Sequence, residues 1–195
     1  MRLRSVGVNT GDERALRRRA TRAFGRRLAV ARAIIGYDGE DEFRVRLTHE
    51  LVAARADELA TAVYGHLMKF PETASFFQLA HGSRDREHIG RRIDSLTEWL
   101  ASMDGPLDED AAARLIDIGR AHTARAGDPA LRVHARYLLM TISFVQTAVV
   151  DLLAEHIEDL RELAMTAAAW NKLLMIHLDL FLAACDGAGA SGHWY

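Results

Sequence analysis

Apolar positions recur at intervals of three and four along almost the whole chain, and period-two alternation is nearly absent, which predicts an all-α protein. The pattern predicts helices over about 13–35, 41–53, 55–69, 72–79, 84–103, 108–125, 129–154 and 158–185. Breaks fall at Gly36-Tyr37-Asp38-Gly39, Phe70-Pro71, His81-Gly82-Ser83, Asp104-Gly105-Pro106 and Gly127-Asp128-Pro129. Within 84–103, Ile89, Ile93, Leu96 and Leu100 form one stripe expected to face inward. Within 108–125, Leu115, Ile118 and His122 share a face. The last two predicted helices are apolar around more than one face, so a partner helix from a second copy is expected there, with Val149 and Leu153 on the surplus face.

The 195 residues, 49% of them hydrophobic, suffice for one well-buried core. The lone Cys185 allows no intrachain disulfide, so a cytoplasmic setting is expected. The first 30 residues hold no apolar run of signal-peptide length. The most apolar run, Leu138 to Ala154, contains Ser143, Gln146 and Asp151 and falls short of a membrane span, which predicts a buried helix instead. The net charge of −2 hides an asymmetry: residues 1–33 carry ten arginines against Asp12 and Glu13, and the rest is acidic. The expected organisation is an arginine-rich helical extension over 1–35, one domain over 36–187 and a flexible tail over 188–195. A solvated extension is the plain reading of the basic arm. No nucleic-acid partner is expected, although such an arm leaves that, an anionic membrane surface or an acidic protein open.

Candidate chemistry concentrates on Ile118-Gly119-Arg120-Ala121-His122-Thr123-Ala124-Arg125-Ala126-Gly127-Asp128-Pro129. Gly127 suits a left-handed helix stop, Asp128 can cap a following helix and Pro129 fits its first turn. A histidine held there between two helices can offer a neutral ring nitrogen to an iron. The chain has nine histidines, so one on an apolar face is by itself an ordinary core residue. The cluster His81, Asp85, Glu87 and His88 reads as a solvated helix start, because Glu87 and His88 point about 100° apart. No nucleophile triad, phosphate-cradling glycine loop or paired-cysteine motif is present, which leaves hydrolase, kinase and zinc-module readings without residues.

Several segments in order resemble the sensor-globin family, that is, protoglobins and the haem domains of globin-coupled sensors. They are Val63-Tyr64-Gly65-His66-Leu67 leading to Phe70-Pro71 and Phe76-Phe77, the helix ending Glu98-Trp99-Leu100, Ile118-Gly119 with His122 and Gly127-Asp128-Pro129, and Asn171 to Leu180. The resemblance implies a globin-like fold with an extra N-terminal helix and a long final helix pair, holding haem b between the helices at 84–103 and 108–125. It makes His122 the iron ligand, Tyr64 the distal hydrogen-bond donor, and Phe77 or Phe76 the aromatic against the porphyrin. Ile89 and Ile93 match the apolar distal positions, and a slip of one residue would put His88 or Arg92 there. Leu115, Ile118, Arg125 and Ile142 are expected to line the cofactor. The chain departs from the family at Leu131-Arg132, where an aromatic pair is usual, and it shows no sequence of an output domain.

The function expected on this basis is a module that binds dioxygen or another diatomic gas, probing it as a sensor. It would act as a homodimer through the last two helices, with a separate output protein. Two alternatives stand: a single-domain globin enzyme, a nitric oxide dioxygenase or peroxidase-like protein needing a separate reductase, and a haem-free globin-fold signalling module.

Overall fold

The computed structural model of the protein describes residues 10–79, 82–120 and 133–187. Eight α-helices follow in order among them: α1 (Thr10–Ile35), α2 (Gly39–Ala54), α3 (Ala56–Leu67), α4 (Pro71–Ala74), α5 (Arg86–Ala101), α6 (Glu109–Arg120), α7 (Ala135–Ala154) and α8 (Leu160–Gly187). A 3-10 turn, Ser75–Phe77, continues α4, and an isolated bridge joins Gln78 to Arg84. The all-α expectation holds.

Local chemistry sets the helix ends. Gly36 adopts a left-handed φ of 67° and lets the Tyr37 N–H reach back to the Arg32 carbonyl at 3.0 Å, which stops α1. Asp38 then caps α2: its carboxylate accepts from the N–H groups of Asp41 and Glu40, and Asp41 returns a bond to the Asp38 N–H. Those backbone donors, Asp41 first, hold the Asp38 carboxyl below its usual pKa. Asp85 starts α5 by accepting from the His88 N–H at 3.0 Å. The seventh helix begins later than its apolar pattern predicts. Val133 and His134 are non-helical, and His134 is extended with ψ 143°, so no unbroken helix runs from Pro129.

Helix α8 is the centre of the fold, packing on α6, α7, α2 and α1. Its Trp170, Leu173, Leu174, Ile176 and Leu180 are fully buried. That environment explains the apolarity around most of the helix without a second chain. The same holds for α7, whose Val149 and Leu153 lie wholly inside this chain's core rather than on a free face. The outer face of α7 carries Arg136, Leu139, Met140, Ser143, Thr147 and Asp151. Among the described residues α7 is the one helix long and apolar enough to cross a membrane, yet its inner side packs on α8, α2 and α3.

Several polar groups in the core are paired, while Thr97 Oγ1 is buried without a partner among the described residues. Trp170 Nε1–H donates to Thr48 Oγ1 at 2.9 Å, and His49, stacked on Trp170, shares a hydrogen bond with the Leu100 carbonyl at 3.2 Å. The second half of α1 belongs to this body: Leu28 is buried, and the Arg27 guanidinium grips Asp179 of α8 through two bonds of 2.8 Å. The closest helix crossing is α6 on α8. A Cβ built on Gly119 would lie 2.8 Å from Phe181 Cα and 2.9 Å from its carbonyl carbon, so glycine is what permits that approach.

Candidate functional site

Helices α3, α5, α6, α7 and α8 enclose a cavity of about 120 Å³. Its lining is Tyr64 from α3, Arg92, Ser95, Leu96 and Trp99 from α5, Ile118 from α6, Leu138, Thr141 and Ile142 from α7, and Phe181 from α8. The α5 contribution follows helical spacing, since residues 92, 95, 96 and 99 fall on one face. Apart from Arg92 and three hydroxyls, the walls are apolar or aromatic.

Tyr64 is the chemically loaded residue. It is 8% exposed, and its ring meets Phe77 edge to face with centroids 5.6 Å apart. Burial pushes its phenol up to about 12, against the pull of the nearby Arg92 guanidinium, so it is a neutral O–H donor throughout the physiological range. Among the described residues the hydroxyl has no hydrogen-bond partner, and the residue lines the cavity. The hydroxyl is therefore available to donate to a molecule held in the cavity.

The expected site residues divide accordingly. Tyr64, Ile118 and Ile142 meet at the cavity, together with Arg92. Phe77 is buried behind Tyr64, and His88 lies 5.9 Å from Phe77, ring to ring. Phe76 turns instead to Tyr137, 5.8 Å away. Ile89 and Ile93 are half-buried and do not line the cavity, because the face of α5 that does so is the one through His88, Arg92 and Trp99. Leu115 is buried and borders a neighbouring pocket rather than this one. His122 and Arg125 lie outside the described residues. As lining residues, sequence reasoning missed Ser95, Leu96, Trp99, Leu138, Thr141 and Phe181. Leu96 already lay on the inward stripe expected of α5, and shifting that face by one residue brings Trp99 onto it with Arg92.

The described lining has the chemistry a haem site needs: apolar walls, a donor for a bound diatomic ligand, and a guanidinium suited to a propionate. Its 120 Å³ matches a diatomic molecule and is smaller than a porphyrin.

Helix order and the cavity between α5, α6, α7 and α8 define a globin. The sequence profile of protoglobins matches residues 25–189, and the chain belongs to the protoglobin family. The fold is also that of the globin domain of the Geobacter sulfurreducens globin-coupled sensor, with a TM-score of 0.66 and 23% identity over 80% of this chain and 95% of that one. The ferric globin domain of E. coli DosC superposes with a TM-score of 0.61 at 13% identity, covering 82% of this chain and 100% of its own. No curated protein matches the chain significantly. The family profile begins at residue 25, inside α1.

Proposed function

We propose that this protoglobin binds haem b beside the cavity, which would hold the gas ligand, and acts as a gas-binding sensor module. The observation that carries the reading is Tyr64: a buried tyrosine whose neutral hydroxyl makes no hydrogen bond among the described residues, at a largely apolar cavity of about 120 Å³. When bound, the haem supplies the iron that holds the gas. His122 is the residue that would ligate it, and Ile118, Leu138, Ile142 and Phe181 exclude water from the ligand. Tyr64 would donate a hydrogen bond to bound dioxygen, which carries partial negative charge, and Arg92, which lines the same cavity, would add positive potential there.

An absorption spectrum of the reduced protein before and after carbon monoxide and dioxygen tests the reading. Tyr64→Phe should speed dioxygen release while leaving carbon monoxide affinity nearly unchanged. A hydrogen bond to a charged group contributes about 1.5–3 kcal/mol, or about ten- to a hundredfold in rate. Unchanged release would remove Tyr64 from the ligand site. A second reading is favoured by the placement of His88 one turn before Arg92 on the cavity-facing side of α5. His88 would then close the iron as a sixth ligand, and a six-coordinate ferrous spectrum distinguishes the two. We extend the proposal to a homodimer through the outer face of α7 and the start of α8, where Leu139, Met140 and Leu160 are exposed.

A further inference from the structure

A second cavity of about 390 Å³ lies on the other side of Trp99. Met103, Leu107, Leu115 and Ile118 wall it, and Glu98 and Arg114 stand exposed at its mouth. Its deepest polar residue is His177 of α8, 5% exposed. The Trp99 indole N–H donates to His177 Nδ1 at 3.0 Å. A ring that accepts at Nδ1 carries its proton on Nε2 when neutral, and burial pushes this imidazole down to about 3, so it is neutral. The Nε2–H has no hydrogen-bond partner among the described residues, and the residue lines the cavity.

We propose that this cavity is a second ligand site, for a small, largely apolar molecule presenting one hydrogen-bond acceptor to His177 Nε2. The volume falls in the range of about 300–1,000 Å³ that ligand pockets occupy. Besides His177 the lining contributes Ser95 and Ser102 and the exposed Glu98 and Arg114, and the remaining wall is apolar. A purely apolar molecule would strip water from the Nε2–H and leave it unsatisfied, so the site selects for the acceptor. Trp99 is also a wall of the cavity that Tyr64 and Arg92 line. Occupancy at His177 is therefore felt by the inner cavity through a single indole. The inference stands without reference to haem.

The test is a titration of the full chain with acetophenone and with ethylbenzene, its analogue of similar size lacking the acceptor. The indole N–H resonance of Trp99, assigned by its loss in Trp99→Phe, is the reporter. Acetophenone should shift it saturably, and ethylbenzene should bind about tenfold or more weakly. In His177→Phe that preference should collapse. Leu107→Trp, at a half-buried loop position on the cavity wall, should abolish the response to both probes, and it keeps the test decisive if His177→Phe does not fold. Absence of a saturable shift, equal affinity for the two probes, or a response that survives Leu107→Trp would overturn the proposal.

Discussion

Gly119→Ala puts the α6–α8 crossing to a quantitative test. The added Cβ would stand 2.8 Å from Phe181 Cα and 2.9 Å from the carbonyl carbon, where carbon atoms normally rest about 3.5–4.0 Å apart. The obstacle is backbone on a central helix, so a rotamer change cannot relieve it, and α6 must move out by roughly 1 Å. Overpacking of this kind costs about 1–3 kcal/mol and occasionally more. Alanine offsets about 1 kcal/mol of it through its better helix propensity. The net loss of up to about 2 kcal/mol should lower the melting temperature by up to roughly 8 °C for a chain of this size. Gly90→Ala is the control: Gly90 sits inside α5 with nothing within 4 Å of its would-be Cβ, so it should stabilise by about 0.5–1 kcal/mol. Thermal denaturation followed by circular dichroism reads both variants in one experiment. A Gly119→Ala protein that melts at or above the parent would refute the close crossing, and with it the explanation of why glycine follows Ile118.

His122→Ala should abolish stable haem retention while preserving helix content, since apolar helix faces build the core. Full haem occupancy with an unchanged spectrum would move the ligand elsewhere, with His88 or His134 next to test. Acid should destabilise the fold through His177: the native ring, pushed down to about 3, stays neutral while the unfolded chain takes up a proton below 6.5. Stability from this group is present above 6.5 and is lost as pH falls toward 3, by up to about 1.4 kcal/mol per pH unit. Urea denaturation between pH 7 and 5 should show a flatter dependence in His177→Phe, and an equal slope would contradict the assignment. Leu139→Lys with Met140→Glu, both exposed, should yield monomers that retain haem in light scattering. A parent protein already monomeric at micromolar concentration would dismiss the α7 interface.

Helix positions were readable from the chain because each carries its own periodicity and stop signals. Asp38 with Gly36, Asp85, and Phe70-Pro71 are local devices whose effect does not depend on distant contacts. Rotational phase was less readable. Ile89 and Ile93 form the more apolar stripe on α5, and the hydrophobic pattern alone therefore favours it over a face containing Arg92. The structure turns Arg92 and Trp99 to the cavity, a phase that hydrophobic periodicity by itself does not select. The placement of Val149 and Leu153 on a surplus face failed for a related reason, since both lie in the core. Periodicity shows how much of a helix is apolar and not how many neighbours surround it, and α8 has four. The Trp99–His177 pair spans 78 residues and leaves no local trace.

The two-pronged grip of Arg27 on Asp179 has a mechanical consequence. Helix α1 is continuous from Thr10 to Ile35, and the Arg27 clamp lies in its second half. The twelve residues from Thr10 to Thr21 extend the helix by about 18 Å on the far side of the clamp. A tilt of about 5° over that length moves the first turn by roughly 1.6 Å, so a small rotation where α1 meets α6 and α8 is amplified along the helix.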